Sequence, residues 1–352
     1  MSDPSAAEAA ARRRPPGMND VARLAGVSQK TVSRVVNNER YVSAEVREKV
    51  LRAARELGFR PNTAARALTT GRFQRIGVVS LGTAMYGPAS LLVALERATR
   101  AAGFSFMVAN TLEGQPDSIA QAASWLLEQG VDGVIISEPI DEGHQVRLDT
   151  EIPILTIGES HGLSSDHVTS LGGVNFAAAR KATDHLLDLG HECVWHAAGP
   201  RKEWVARERV EGWRAALLDR GIEPPPPVEG DWTPASGHAA ARELAQNPEV
   251  TAVFSANDEM AIGLISALRE AGRRVPGDVS VVGIDDIPAA AYLVPALTTI
   301  RQDFEADANY VLEALFRQLP GAPATAPGRS GGGGIDRPLI VRESTAPPAR
   351  RG

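Results

Sequence analysis

The sequence contains a single cysteine, Cys193, among 352 residues, and only 5% of its residues are aromatic. One cysteine excludes an internal disulfide, which fits a protein that folds in a reducing compartment. No uninterrupted apolar stretch reaches the roughly 18 residues that a membrane-spanning helix requires. The first 17 residues carry acidic side chains and never build an apolar run, so they do not predict a secretion signal. We therefore expect a cytoplasmic protein that makes no use of a membrane.

The motifs of common enzyme classes are also missing. The first predicted strand is followed by "LGTAMYGPAS", which has neither of the glycine spacings that cradle phosphates. The seven histidines show no metal-ligand spacing, and no serine stands in a nucleophile motif. These absences predict a protein that is not an enzyme and that uses no cofactor and no metal.

Charge is distributed unevenly along the chain. Residues 1–75 hold 15 lysines and arginines against 7 acidic residues, whereas the whole chain has a net charge of −6. A basic amino-terminal segment on an acidic body is typical of a DNA-binding module joined to a second domain. Charge alone would also fit a solvated basic segment without a partner. The sequence motif in this segment distinguishes the two interpretations.

The basic segment has the pattern of a helix-turn-helix. A first helix places Val21, Leu24 and Ala25 on one face, and Gly26-Val27-Ser28 then provides a turn and a helix-capping serine. The second helix, "QKTVSRVVN", turns its three valines inward. In such a motif the second helix presents its first residues to base edges in the major groove. The outward residues that we expect to contact DNA are Gln29, Lys30, Ser33 and Arg34.

A third helix is predicted to support the first two. It begins after Ser43, which caps it, and ends at Gly58. Its predicted inward face consists of Val46, Val50, Leu51, Ala54 and Leu57.

From Arg75 onward the pattern changes to short apolar strands that alternate with helices. The strands are predicted at "RIGVVS", "FSFMVAN", "VDGVIIS", "PILTIGE", "CVWHAA", "TAVFSAND" and "VSVVGIDD". Alternation of this kind predicts buried parallel strands in an α/β fold. About 270 residues are too many for one such sheet, so we expect two lobes.

Polar residues stand where several of these strands end. Asn257-Asp258, Asp285-Asp286 and the stretch 138–141 each follow an apolar strand. In open α/β sheets the ligand binds at the carboxyl ends of the strands. Carboxylate and guanidinium groups take pairs of hydroxyls, and an indole face covers the apolar face of a sugar ring, so the residue types favour a sugar ligand.

The basic segment resembles the LacI/GalR family of bacterial transcription regulators. "DVARLAGVSQKTVSRVVNNERYVSAEVREKV" matches the family's amino-terminal signature, and "GFRPNTAARALTTGR" is similar to its hinge. The resemblance implies that the hinge folds on operator DNA and that Leu68 wedges between bases there. It adds Asn37, Asn62, Ala65 and Leu68 to the DNA-contacting residues. The residues alone also fit a plain core leucine at position 68.

The resemblance extends over the acidic body, through "EGDW", "SVVGIDD", "LTTIRQDF" and "ARERVEGW". It implies a two-lobed domain like that of periplasmic binding proteins, with a small sugar, expected to be a galactoside, bound between the lobes. At a position where one galactoside-responsive member of the family carries a serine, this chain has Val205. The positions that the resemblance assigns to the effector cleft are Met85, Pro88, Leu91, Asp141, Arg209, Trp232, Asn257, Asp285, Gln302 and Phe304.

These observations together predict the organisation of the chain. The expected parts are a disordered basic tail (1–17), a helix-turn-helix domain (18–61), a hinge (62–74), an effector-binding domain (75–345) and a second disordered tail (346–352). Lobe 1 is expected at 75–173 and 304–332, and lobe 2 at 174–303 and 333–345. The carboxyl-terminal residues form no leucine heptad, so we expect a homodimer on a pseudo-palindromic operator.

Other interpretations stay open from sequence alone. The body also fits a small-molecule binding protein or an enzyme whose basic segment is incidental. Asn257 and Asp285 could cap helices, and Arg209 could be an exposed charge on a helix. The prediction that accounts for both halves of the chain is a sugar-controlled, DNA-binding repressor.

Overall fold

The structure is a computed structural model, and the chain divides into two units, residues 1–73 and 74–352. The residues that it describes are 16–36, 41–60, 72–111, 118–138, 140–141, 146–158, 163–164, 167–172, 174–319 and 337–349.

The first unit contains three helices, α1 (Met18–Ala25), α2 (Gln29–Val36) and α3 (Ala44–Leu57). Gly26 ends α1 in the left-handed conformation that glycine adopts without strain, with φ of 65°. The Ser28 hydroxyl accepts a hydrogen bond from the Thr31 amide at 3.1 Å, which caps the start of α2. Helix, tight turn and helix follow one another as the sequence predicts.

The core of this unit differs from the predicted one at two leucines. The exposed fraction is 46% for Leu24 and 41% for Leu51, although both were expected to face inward. At 100° per residue Leu24 lies about 110° and Leu51 about 130° from the centre of its helix's buried face, outside the apolar stripe. The residues that fill the core instead are Val21, Ala22, Val32, Val35, Val50 and Ala53.

The second unit is built on two sheets, and the first of them defines lobe 1. Its five parallel strands lie in the order β2-β1-β3-β5-β7, and three helices pack on it. The elements are β1 (Arg75–Ser80), α4 (Tyr86–Ala101), β2 (Ser105–Asn110), α5 (Ser118–Glu128), β3 (Gly133–Ile136), β5 (Ile154–Ile157), β7 (Val168–Leu171) and α10 (Phe304–Gln318). Two short strands, β4 (Val146–Arg147) and β6 (Leu163–Ser164), pair beside it.

The second sheet defines lobe 2. Its six strands lie in the order β13-β12-β11-β10-β8-β9, and all pair in parallel except β12 with β13. The elements are α6 (Val174–Asp188), β8 (Trp195–Ala198), α7 (Trp204–Leu218), β9 (Val228–Glu229), α8 (Pro234–Leu244), β10 (Ala252–Ser255), α9 (Asp258–Glu270), β11 (Ser280–Asp285), a 3-10 helix (Pro288–Tyr292), β12 (Thr298–Arg301) and β13 (Leu339–Ile340).

All seven predicted strands are present, and the two-lobed α/β architecture is confirmed. The predictions missed β7 and β12, whose sequences "VTSL" and "TTIR" have two and three polar residues of four, and the two-residue strands β4, β6 and β9. The chain passes from lobe 1 to lobe 2 after β7 and returns to lobe 1 at α10. The two sheets therefore turn their carboxyl ends, and the residues that follow them, toward the same region.

Helices α8 and α9 of lobe 2 approach each other very closely at Gly263. A Cβ built on Gly263 would overlap the carbonyl oxygen of Pro234, which is backbone and has no other rotamer. The helices can pack at this distance only because this side chain is a hydrogen atom.

The variant Gly263→Ala tests this contact. Alanine normally favours a helix over glycine, but overpacking against backbone destabilises a core by about 1–3 kcal/mol. We expect a lower midpoint of thermal unfolding, measured by circular dichroism. Ser266→Ala, one turn further along the partly exposed side of α9, is the control and should leave the midpoint unchanged. A Gly263→Ala protein as stable as the wild type would contradict the close packing.

Candidate functional site

A cavity of about 580 Å³ lies between the two lobes of the second unit. This volume is in the usual range for small-molecule sites. Lobe 1 supplies the residues that follow β1 and β3, and lobe 2 supplies those that follow β8, β10, β11 and β12. All ten of the predicted effector residues lie along its wall: Met85, Pro88, Leu91, Asp141, Arg209, Trp232, Asn257, Asp285, Gln302 and Phe304.

Arg209 is the buried cation of the lobe 2 wall. It lies on α7 with 4% of its surface exposed, so it is not a solvated helix charge. One terminal nitrogen donates to the carbonyl of Ala256 at 2.5 Å, and the other donates to the Asn175 side-chain oxygen at 3.2 Å. The second nitrogen also lies 4.0 Å from a carboxylate oxygen of Asp285. Three elements thus fix the plane of the guanidinium.

Asp285 ends β11 with its side chain 5% exposed and its φ at 129°. The side-chain amide of Gln302 donates to this carboxylate. Burial raises the pKa of Asp285, and the positive charge of Arg209 opposes that rise. Asp285 does not cap the 3-10 helix that follows, whose capping position is Ile287. Its carboxylate instead forms part of the cavity wall.

A chain of polar contacts continues from Gln302 into lobe 1. The guanidinium of Arg337, 5% exposed, donates to the Gln302 side-chain oxygen and to both carboxylate oxygens of Asp307, at 3.1 and 3.0 Å. Asp307 lies on α10, which packs on the lobe 1 sheet. Sequence reasoning missed Arg337 and Asp307, because nothing in "GIDRPLI" marks an arginine that reaches another lobe.

Asn257 and Trp232 form the adjoining part of the wall. The Asn257 oxygen caps α9 by accepting from the Met260 amide at 2.9 Å, and its nitrogen donates to the Trp232 carbonyl at 3.1 Å. The capping interpretation of Asn257 therefore holds, although the residue also lines the cavity. Trp232 has φ of 73°, a conformation that is strained for a bulky side chain.

The indole of Trp232 is held from three sides. Its nitrogen donates to the carboxylate of Glu203 at 2.8 Å, and the Arg209 guanidinium lies 5.5 Å from the ring centroid. The ring lies directly on Gly199, where a Cβ would overlap it. The strained backbone and these contacts together fix a flat aromatic surface at the cavity wall.

Part of the lobe 1 side of the cavity is apolar. Met85 and Pro88 at the start of α4 line it together with Leu91 and Phe304. The rings of Phe304 and Tyr86 meet edge to face, with centroids 5.9 Å apart. The lobe 2 wall thus offers charged and amide groups beside the Trp232 indole, and this part of lobe 1 offers aliphatic and aromatic surface.

Asp141 connects the two lobes. Its carboxylate lies 3.2 Å from a terminal nitrogen of Arg207, and its backbone amide donates to the Lys202 carbonyl at 2.7 Å. The preceding residue, Ile140, pairs with Glu203 as an antiparallel β-bridge. Segments of both lobes are therefore joined by backbone hydrogen bonds beside the cavity.

Two further acids line the cavity, Glu138 from lobe 1 and Glu203 from lobe 2. Burial raises the pKa of both carboxyls, and the negative charge of Glu138 raises that of Glu203 further. The sequence placed Glu138 at a strand end but gave it no role, and it gave no signal for Glu203.

The helix-turn-helix unit presents the predicted polar face. Gln29, Lys30 and Arg34 are exposed on α2, and Ser33 is half-buried. The predicted DNA contacts Asn37, Asn62, Ala65 and Leu68 lie outside the described residues. Within the described part of the chain, no three potential ligand side chains cluster around a metal position, and every helix is too short or too polar to cross a lipid bilayer.

Comparisons with known protein families identify both units. Residues 17–62 match the model of the bacterial regulatory proteins of the lacI family, and residues 183–345 match a periplasmic binding protein-like domain. The chain is 36% identical to the lactose operon repressor of Escherichia coli over 298 residues, which is 83% of this chain and 81% of that protein.

Two solved structures are similar over most of the chain. A crystal structure of the lac repressor dimer bound to operator and the anti-inducer ONPF is 32% identical, with a TM-score of 0.76 over 95% of this chain and all of that one. A complex of the transcriptional regulator CelR with cellobiose is 31% identical, with a TM-score of 0.64 over 94% of this chain and 99% of that one.

The pH dependence of stability should report the buried carboxyl of Glu138. Folding raises the pKa of Glu138, so the folded protein keeps the Glu138 proton at pH values where the unfolded chain has lost it. The contribution of Glu138 to the free energy of unfolding therefore falls as pH rises above the ordinary glutamate pKa of about 4.3. Glu138→Gln should therefore gain stability relative to the wild type from pH 5 to 8, measured by urea unfolding. The exposed Glu192→Gln is the control, and parallel curves for Glu138→Gln and wild type would contradict the raised pKa.

Proposed function

The chain belongs to the LacI family of bacterial regulatory proteins, and we propose that it is a transcriptional repressor whose affinity for operator DNA is controlled by a small sugar in the cleft. The observation that carries the proposal is the combination of two features in one chain. One is a helix-turn-helix with exposed polar residues at the start of α2, and the other is a two-lobed domain whose cavity, of sugar size, has a polar wall.

The polar wall of the cavity suits sugar hydroxyls. Arg209 and Asp285 present a guanidinium and a carboxylate side by side, an arrangement that takes adjacent hydroxyls with charge-assisted hydrogen bonds. The indole of Trp232 and the ring of Phe304 supply surfaces for the apolar face of a pyranose. We propose these four, with Asn257, Gln302, Asp141, Met85, Pro88 and Leu91, as the effector-binding residues.

A galactoside is the first effector to test, because of the similarity to the lactose operon repressor. The cleft gives a reason for a different preference, since the aliphatic Val205 lines it and offers no hydroxyl to a sugar. Cellobiose in the CelR complex is a second sugar to include.

The proposed mechanism couples the two units through the lobes. A sugar that contacts both lobes favours one arrangement of them, and operator affinity falls to the extent that the sugar binds this arrangement more tightly. The coupling is reciprocal, so operator DNA lowers sugar affinity by the same factor.

We propose that the protein acts as a homodimer on a pseudo-palindromic operator. On lobe 2, Tyr292 and Val294 have exposed fractions of 85% and 92%, which is unusual for large apolar side chains that stand close together. A helix-turn-helix dimer reads two half-sites related by its own twofold axis.

A titration of the full-length protein onto DNA from its own upstream region tests the proposal. Fluorescence anisotropy at one fixed salt concentration should show two chains per operator and release by one member of a panel of galactosides, glucosides and pentoses. Failure to bind that DNA would contradict the DNA-binding part, and binding that no sugar releases would contradict the effector part.

Arg34→Ala tests the recognition helix. Loss of a side chain that reaches a base edge should weaken cognate binding by about 1–3 kcal/mol more than it weakens binding to scrambled DNA. Arg55→Ala removes the same charge from the exposed end of α3 and should weaken both DNAs alike. Equal discrimination by Arg34→Ala and wild type would refute the assignment of Arg34.

Asp285→Asn tests the cleft. The amide keeps the size of the side chain and an oxygen that accepts from Gln302, but it removes the charge beside Arg209. We expect wild-type operator affinity together with loss of the sugar response, both measured in the anisotropy titration. Release of DNA by the variant at wild-type sugar concentrations would show that Asp285 does not anchor the sugar.

A further inference from the structure

Trp204 of lobe 2 lies directly on Gly158 of lobe 1. Gly158 is buried after β5 with φ of 108°, a conformation that residues with a side chain rarely adopt. A Cβ built on Gly158 would overlap the five-membered ring of the Trp204 indole. The indole therefore packs on bare backbone of the opposite lobe, at a distance that only a glycine allows.

The position of Trp204 at the start of α7 explains how its ring reaches lobe 1. The residue before it, Glu203, pairs with Ile140 of lobe 1 as an antiparallel β-bridge. Three residues further along α7, the Arg207 guanidinium lies 5.6 Å from the centroid of the Trp204 ring and forms an ion pair with Asp141 of lobe 1 at 3.2 Å. A cation over an aromatic ring is a favourable contact. A ring, an ion pair and a backbone bridge thus join the lobes at one edge of the cleft.

The contact between Trp204 and Gly158 lies outside the effector cavity. Neither residue is among the described residues that line the cavity, although their chain neighbours Ile157, Glu203 and Val205 do line it. A side chain that joins the lobes without touching the ligand changes the equilibrium between joined and separated lobes. It leaves the intrinsic affinity of each arrangement for the ligand as it was.

We propose that Trp204, seated on Gly158, is a latch that holds the lobes together before an effector binds, and that it sets the sugar concentration at which the operator is released. Trp204 is a positioning residue, because it acts through the lobes and not on the sugar. The inference rests on the proposed function, since a latch between the lobes regulates operator binding only if the lobes do. It goes further by assigning the equilibrium between the lobes to one side chain outside the cavity.

A latch changes two affinities in opposite directions. The apparent affinity of a ligand scales with the fraction of the protein in the arrangement that the ligand binds. Loss of the Trp204 ring lowers the joined fraction, which weakens sugar binding, and raises the separated fraction, which strengthens operator binding. A variant whose fold is damaged loses both affinities instead.

Hydrogen exchange of the full-length protein measures the latch without sugar or DNA. The Asp141 amide donates to the Lys202 carbonyl across the lobes at 2.7 Å, so it exchanges when the lobes separate. We expect this amide to exchange at least about tenfold faster in Trp204→Ala, measured by mass spectrometry on overlapping peptides. The amides of β1, which pair inside lobe 1, should keep their wild-type rates.

Two titrations of the same samples measure the affinities. Calorimetry with galactose, lactose and cellobiose, without DNA, gives the sugar affinity, and anisotropy on the upstream DNA, without sugar, gives the operator affinity. In Trp204→Ala we expect weaker sugar binding. We also expect operator binding to tighten about tenfold, the factor by which Asp141 exchange accelerates, because both report the separated fraction.

Two further tryptophan variants bracket this result. Trp204→Phe keeps a ring over Gly158 and should lie between the wild type and Trp204→Ala in all three measurements. Trp125→Ala removes an indole that is 45% exposed on α5 of lobe 1, and it should change none of them.

Gly158→Ala tests the latch from the other lobe. Its methyl group would meet the indole and separate the lobes, but it would also strain the lobe 1 backbone. The double variant distinguishes the two effects, because Trp204→Ala removes the overlap and leaves the strain. We expect Gly158→Ala to accelerate Asp141 exchange when Trp204 is present and to change it little in the Trp204→Ala background.

The outcomes distinguish the inference from the proposed function. Unchanged Asp141 exchange in Trp204→Ala would overturn the latch, and unchanged or weaker operator binding would overturn its regulatory role. Tighter operator binding cannot come from a misfolded variant. If the wild type bound its DNA but no sugar, the effector part of the proposed function would fail, while the exchange rates and operator affinities would still decide whether Trp204 holds the lobes together.

Discussion

A guanidinium buried at the edge of lobe 2 constrains the rest of the cleft. Removing a charge from water costs several kcal/mol unless its hydrogen bonds and its charge are matched. Arg209 is matched by the carbonyl of Ala256 after β10, by Asn175 at the start of α6 and by Asp285 at the end of β11. Satisfying this one side chain therefore fixes the relative positions of three elements, and the polar wall follows from them.

The need to pair each buried polar group also fixes residues outside lobe 2. Asp285 needs a donor, which Gln302 supplies, and Gln302 in turn accepts from Arg337, whose charge is balanced by Asp307 on α10. The polar chain follows the crossing between β12 and α10, so the segment that connects the lobes is held by buried hydrogen bonds and ion pairs. A chain of this kind transmits a displacement at one end only if its members move together, because each broken link leaves a buried polar group unpaired.

Local patterns were sufficient for the α/β fold and indicated polar strand ends in the cleft, whereas the other cleft positions came from the resemblance to the family. Apolar strands end in polar residues at Asn257 and Asp285, and parallel strands bring such ends to one edge of a sheet. Arg337 and Glu203 escaped prediction because their partners are distant in sequence: Arg337 contacts Asp307 thirty residues away, and Glu203 contacts Trp232 twenty-nine residues away. Leu24 and Leu51 were assigned to the inward faces of their helices, although each lies to the side of its helix's buried stripe. A face drawn too wide accounts for these two errors, whereas contacts between distant elements account for Arg337 and Glu203.

The β-bridge between Ile140 and Glu203 and the ion pair between Asp141 and Arg207 join the lobes through the protein's own atoms. The joined arrangement thus has favourable energy before any ligand contributes to it. A ligand shifts the balance only by its difference in affinity for the joined and separated lobes, and one with equal affinity for both shifts nothing, however tightly it binds. Under the proposed function, occupancy and response are therefore separate properties of this cleft: a molecule that binds the joined and separated lobes equally would fill it without a response, and only one that prefers one arrangement would change operator affinity.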